Sequence, residues 1–300
     1  MTGSELTYRR GTPSDSRACF DVFLPAIRDL TARLGSPWEP EPEELWPRLQ
    51  PMYEHLASDA AEWWVAEDPA TGQIAGYARS VERGGLFELS ELFVHPERQS
   101  AGVGRNLLER AFPLGRGEVR AIIATTDVRA LRRYHAAGTF VRFPIAALEG
   151  PPSADAPLDP GLEVVEATAD DIPTLRRIEA AVLEFERGDM FAWLLGDRRG
   201  FLYRRDGRDA GFAFAGKSGV GPIAALEPAD QAGILAHVER IAAEVGRKEV
   251  GFEVPMLNEV AMTHLLARGF RMDTFFTFFL SSRPFGQFDR FIGFGPPFVL

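Results

Sequence analysis

The two halves of this chain repeat one another across a segment that can be neither helix nor central strand. Residues 150–161 read GPPSADAPLDPG, four prolines and two glycines in twelve positions. Proline removes a main-chain donor and fixes φ, so the segment reads as a linker. LTYRRGTPSD from Leu6 matches LEVVEATADD from Leu162, an offset of 156. ATGQIAGYARS resembles RDGRDAGFAFAGKS at an offset of 135, which pairs Gly72 with Gly207 and Gly76 with Gly211. LFVHPERQSAG resembles AALEPADQAGI at 132, pairing Pro96 with Pro228, and Ala130 and Gly138 pair with Ala261 and Gly269 at 131. An offset that shrinks slowly in fixed order is what a duplicated domain with a few insertions produces. The expected domains are 1–149 and 162–300, joined by the linker 150–161. The fall from 156 to 135 puts 21 extra residues in the first copy, between its opening strand and Trp63–Trp64.

At 300 residues and 45% hydrophobic content, the chain has material for two cores. Its net charge of -10 is spread over two acidic halves, which argues against a nucleic-acid partner. No apolar run approaches the ~18 residues of a membrane span and no hydrophobic signal core follows Met1, so no membrane partner and a cytoplasmic location are expected. Cys19 is the one cysteine, which excludes an internal disulfide and a multi-cysteine zinc site. The five histidines lack ligand spacing, so no metal is expected.

Each half reads as a strand, one or more helices, a three-strand meander, a helix, a strand, a helix and further strands. In the first half, residues 62–67, 74–81 and 86–94 have strand character. Val103, Leu107, Leu108, Ala111 and Phe112 share a helical face, residues 120–125 form an apolar strand, and a helix passes through Leu131 and Tyr134 to Gly138. In the second half, Ile234, Val238, Ile241 and Val245 mark a helix, with a strand at 250–254. The fold class is α+β, a mixed, mostly antiparallel twisted sheet flanked by helices, given twice.

From Val94 to Arg105 a strand ends at Pro96 and a glycine-bearing turn opens a helix. Glycines let main-chain N–H groups converge, and a helix N-terminus adds partial positive charge, a combination suited to a pyrophosphate. A Rossmann fingerprint would need a small residue at Leu107, and a phosphate-binding P-loop would need Gly-Lys-Ser/Thr. The pattern V-x-P-x-x-[RQ]-Q-x-x-G-x-G, with Gln99, Gly102 and Gly104 in place, instead resembles the acyl-CoA signature of the GCN5-related N-acetyltransferases (GNAT). Downstream, Asp127, Ala130, Tyr134 and Gly138 follow that family's N-x-x-A-x-x-x-Y-x-x-x-G-F, with Asp for Asn and Thr139 inserted before Phe140. The second half keeps Asn258, Ala261, Gly269 and Phe270 but has Leu265 for the tyrosine, and Ile234 and Ala236 for the two glycines.

The resemblance implies two tandem GNAT-like domains, the second degenerate, with acetyl-CoA bound as acyl donor by the first. It implies direct transfer of the acetyl group to a primary amine of a small molecule. Donor-binding positions would be Leu92, Phe93, Val94, Arg98, Gln99, Ser100, Ala101, Gly102, Val103, Gly104 and Arg105. Tyr134 takes the family's general-acid position. Glu88 is the candidate base and Glu91 the fallback, and strict alternation sets them on opposite strand faces unless a bulge intervenes. Trp38 and Trp46, with Met52 and Tyr53, are candidates for an acceptor wall beside Glu39, Glu41, Glu43 and Glu44. The tail carries Phe285, Phe288, Phe291, Phe294 and Phe298 and reads as a closing strand; joint exposure of those rings would give a homodimer contact. The alternative function is a catalytically silent acyl-CoA-binding or scaffold protein.

Overall fold

A computed structural model of the protein describes residues 5–99 and 101–294. The first half comprises β1 (Thr7–Arg10), α1 (Ser16–Arg33), α2 (Pro42–Asp59), β2 (Ala60–Glu67), β3 (Ile74–Arg83), β4 (Leu86–Val94), α3 (Val103–Ala111), β5 (Val119–Thr125) and α4 (Val128–Ala136). The second comprises β6 (Phe140–Gly150), β7 (Glu163–Ala167), α5 (Ile172–Leu183), α6 (Met190–Asp197), β8 (Arg199–Arg205), β9 (Arg208–Ala215), β10 (Val220–Ala225), α7 (Gln231–Glu244), β11 (Val250–Pro255), α8 (Glu259–Ala267), β12 (Arg271–Ser281) and β13 (Phe291–Ile292).

In the first unit the strands lie in the order β1-β2-β3-β4-β5, antiparallel except for the parallel β4–β5 pair. α3 packs through the stripe its spacing predicts, with Val103, Leu107, Leu108 and Ala111 all buried. The other sheet face meets α1 and α2 through Cys19, Phe20, Leu45, Tyr53, Trp63, Val65 and Tyr77. The 21 surplus residues add no element. They lengthen the two helices, which have 18 residues each against 12 in α5 and 8 in α6.

In the second unit β10, β9, β8 and β7 form the meander, with β13 on the outer side of β10. Strands β11, β6 and β12 adjoin in that order. Its core gathers Leu148, Tyr203, Ile223, Ile234, Val238 and Phe252 among others.

The compact units fall elsewhere than the sequence boundary at 149. The first runs to Phe140 and takes in Leu280–Arg283; the second holds 141–279 and the chain from Pro284. Strand pairing is the cause. β6 is antiparallel to β11 from Ile145, opposite Pro255, to Gly150, opposite Val250, so the strand that ends the first half in sequence completes the second unit.

Candidate functional site

β4 changes neighbours midway. Leu86 to Leu89 pair in parallel with Val119 to Ile122 of β5, and that pairing ends there. Along β3, Leu89 faces Ser80 and Glu91 faces Arg79, so Ser90 is an extra residue, a bulge, at the point where β4 leaves β5. The His95 N–H donates to the Ala75 carbonyl at 2.9 Å. In an antiparallel ladder, main-chain groups alternate between facing the partner and facing away. Counting back from His95, Phe93 and Glu91 face β3, while Leu92 and Val94 turn their N–H groups to the open edge. Gln99 Nε2 donates to the Val94 carbonyl at 3.2 Å, tying the following turn to the strand end.

A 3₁₀ turn, Pro96–Arg98, follows, then extended Gln99 and left-handed Gly102 (φ 82°), which precedes α3. Ser100 lies outside the described residues. The two glycines have separate roles. Gly102 satisfies a backbone conformation that other residues resist. A Cβ at Gly104 would meet only Val94 Cγ2 at 3.6 Å, ordinary contact, so internal packing does not demand a glycine there. What the missing side chain provides is an open approach to first-turn amides that have no partner within the helix.

The flanking donor positions divide. Arg98 is held by Asp68 at 3.1 Å. Arg105 is exposed and only loosely paired, 3.9 Å from Glu109. Phe93 points into the core against Phe23 and Tyr77, with ring centroids 5.0 and 5.8 Å away. Val103 is buried and Ala101 exposed, so these residues offer main chain rather than side chain to a ligand.

Tyr134 sits in the last turn of α4, buried, and desolvation pushes its hydroxyl up to about 12. It therefore stays protonated through neutral pH, the state a proton donor needs. Asp127, in the Asn position, caps the helix by accepting from the Arg129 N–H at 2.9 Å, and it pairs with Arg33 at 3.3 Å. Burial raises the Asp127 carboxyl, but its bonds to Arg129 and the nearby guanidinium charges outweigh this and bring it to about 2. Gly138, left-handed at φ 79°, ends the helix region.

The bulge overturns the opposite-face expectation for the two carboxylates. Glu88 lies across from Val81 and Glu91 across from Arg79, and those partners share a face. Both carboxylates are buried, at 2% and 3% exposure. Tyr77 Oη donates to Glu91 Oε1 at 2.9 Å, and Tyr53 Oη lies 3.1 Å from Tyr77 Oη. Arg79 Nε is 3.3 Å from Glu91 Oε2, its Nη1 donates to the Tyr53 carbonyl, and its guanidinium stacks 4.0 Å from the Trp63 ring centroid. Desolvation raises the Glu91 carboxyl, opposed by Arg79 and the two tyrosines. Burial likewise raises the Cys19 thiol, which fits a structural residue rather than a nucleophile.

Trp46 belongs to the core between Phe20 and Tyr53, with ring centroids 5.1 and 5.6 Å away. Trp38 is 43% exposed in the α1–α2 connection, where neighbouring Glu39 pairs with Arg28 at 3.1 Å. The acidic wall is thus partly neutralised, and only Met52 and Tyr53 join Trp46 in the same cluster.

The second unit closes both features. Its 3₁₀ turn, Pro228–Asp230, runs directly into α7 at Gln231, with Asp230 and Gln231 already helical. Ile234 and Ala236 therefore lie within a helix, both fully buried, where the first unit has a glycine turn. The linker covers this helix start: a Cβ at Gly233 would come within 2.7 Å of Leu162 Cδ1 and 2.9 Å of Asp159 Cβ. Arg205 joins Asp159 to Asp230, the Asp230 contact at 2.6 Å. β10 has a bulge of its own between Val220 and Ile223. Beyond it, Ile223 and Ala224 pair with Ile292 and Phe291 of β13, and the Ala225 N–H donates to the Arg290 carbonyl at 3.0 Å. The tail's closing-strand expectation holds for this segment, with Phe285, Phe288, Phe291 and Phe294 buried; Phe298 lies outside the described residues.

Sequence reasoning missed Tyr77 and Arg79, and placed Tyr53 in the acceptor wall rather than beside them. The signal was an arginine in the apolar alternation of IAGYARSV, on the same strand face as Tyr77. Among the described residues, no group of three or more His, Cys, Asp or Glu is arranged to hold a metal, and no helix is long and apolar enough to cross a membrane.

Residues 59–139, from the end of α2 through α4, match the family model of the acetyltransferase (GNAT) domain. No curated protein matches the sequence. Among solved structures, an acetyltransferase-like protein from Pyrococcus horikoshii superposes with a TM-score of 0.72 at 15% identity, covering 97% of this chain and 94% of that one. A GCN5-related N-acetyltransferase from Sphaerobacter thermophilus gives 0.60 at 15% identity, covering 94% and 97%. A tandem GNAT protein from the clavulanic acid biosynthesis pathway gives 0.58 at 16% identity, covering 93% and 99%. At these identities the likeness is one of fold.

Proposed function

We propose, for a chain whose residues 59–139 form a GNAT acetyltransferase domain within a tandem GNAT fold, that the first unit transfers an acetyl group from acetyl-CoA to a primary amine of a small molecule. The observation that carries this reading is the paired opening at β4 and the glycine turn, set against the closure of both features in the second unit. Main-chain amides from Gln99 to Arg105 would receive the donor's pyrophosphate, with Gly104 leaving room for it. The Leu92 and Val94 N–H groups, turned to the open edge, would bind the donor's extended arm as a neighbouring strand would. One of them would stabilise the oxyanion that forms as the amine attacks. Tyr134, kept protonated by burial, would protonate the departing thiolate. Glu88 would take the amine's proton, with Glu91 as the fallback.

A second reading, a silent acyl-CoA-binding protein, draws support from the burial of both Glu88 and Glu91. Calorimetric titration with acetyl-CoA, followed by thiol release over a panel of small primary amines, tests the two. One site per chain with turnover is the expected result. One site per chain without turnover favours the silent reading, and no binding removes both.

A further inference from the structure

The cluster around Glu91 has no part in the chemistry above, yet its residue directly precedes Leu92, whose N–H faces the open edge. Resting on the reading of β4 as the donor-binding strand, we propose that Tyr77, Arg79 and Tyr53 are positioning residues. They hold Glu91 under α2 and so set the β4 bulge and the following Leu92 amide against the acyl carbonyl.

The geometry supplies a grip on each side of that amide. Before it, Glu91 is held by its side chain through Tyr77 and Arg79. After it, Phe93 is wedged between Phe23 and Tyr77. A bulge is otherwise a soft point, because its extra residue leaves the ladder and allows the strand to twist. Here the strand also loses β5 at the same place, so β3 alone guides it. Side-chain anchors at 91 and 93 replace the restraint that β5 no longer gives.

Tyr53 comes from α2, the helix that is 18 residues long here and has an 8-residue counterpart in the second unit. The helix thus reaches the strand edge through a chain of two hydroxyls, Tyr53 to Tyr77 to Glu91. Arg79 fixes the other Glu91 oxygen and is itself immobilised between Trp63 and the Tyr53 main chain. Glu91 in this arrangement is an anchor rather than a proton acceptor.

The test is an infrared difference measurement on acetyl-CoA labelled with carbon-13 at the acetyl carbonyl, bound to the full chain. In the wild type, a positioned amide lowers the carbonyl stretch relative to free acetyl-CoA. Tyr77→Phe removes one hydroxyl and leaves the ring, and it should return the stretch most of the way to the free value. Acetyl-CoA affinity should stay within about twofold, because no group touching the ligand is lost. Tyr53→Phe, one link further away, should return a smaller part. A full wild-type shift in Tyr77→Phe overturns the proposal, as does a fall in affinity that tracks the lost shift, since that marks general damage. A wild-type chain that binds no acetyl-CoA sinks the parent function instead, and the positioning role with it.

Discussion

The start of α3 and the start of α7 occupy the same place in two copies of one plan, yet one is open and the other sealed. Before α3, Gln99 is extended and Gly102 left-handed, and the helix begins only at Val103. Before α7 the same stretch is already helix, so its amides are used internally, and Asp159 and Leu162 lie over the first turn. The strand edges repeat the contrast: past Ser90 the edge of β4 away from β3 has no strand beside it among the described residues, while β10 pairs with β13. Under the proposed function, the second unit would lose the ligand site by more than side-chain obstruction. A longer helix, a folded-back linker and a terminal strand can fill it with the chain's own main chain.

The comparison can be broken most directly at the glycines. Gly104→Asp places a carboxylate at the open turn and should abolish acetyl-CoA binding, a loss of about a thousandfold or more in calorimetry, through like-charge repulsion with phosphate and occupied space. Ala236→Asp, the equivalent change, should leave acetyl-CoA affinity untouched but lower the melting temperature, since an unpaired charge in a fully buried site costs several kcal/mol. Equal losses of affinity in both variants would erase the asymmetry.

Tyr134 sharpens the contrast, because Leu265 stands at its position in the second copy. Tyr134→Phe should lower kcat by about a hundredfold and hardly change the KM for acetyl-CoA. The acid form is the active one, so activity is lost only as pH rises through the raised value near 12. The Tyr134 limb should therefore be absent from the kcat profile up to pH 10, where an ordinary tyrosine would already be half titrated.

The smallest effect concerns Gln99. Its side chain makes one bond to the end of β4, so Gln99→Ala should weaken acetyl-CoA binding by about twofold to tenfold, the worth of one net hydrogen bond. No change would mean that the strand and turn are fixed independently.

Much of the first unit could be read from residue order, for local reasons. The α3 stripe, the glycine turn and the strand ending at Val94 are each written within about ten neighbouring residues, where periodicity and turn chemistry operate. What escaped was non-local. Counting alternate residues put Glu88 and Glu91 on opposite faces because an extra residue at Ser90 shows only when β3 is laid beside β4. Trp46 reads the same way in a pocket wall and in a core until α1 packs on it. The closure of the second unit depends on residues 159–162 and 290–292 meeting α7 and β10, and no window of sequence spans those separations. Ile234 and Ala236 marked where the two copies differ, but not the helix, linker and strand that fill the place.

The placement of β6 bears on how such a chain is made and divided. Its partner β11 is synthesised about a hundred residues later, so during elongation the strand must wait with its edge uncovered while the intervening helices and meander emerge. A gene cut at the proline-rich segment, the obvious place for dissection, would strand this eleven-residue ribbon on the wrong fragment. The shorter piece would carry an orphaned edge prone to self-association, and its companion would lack the middle strand of a three-strand group.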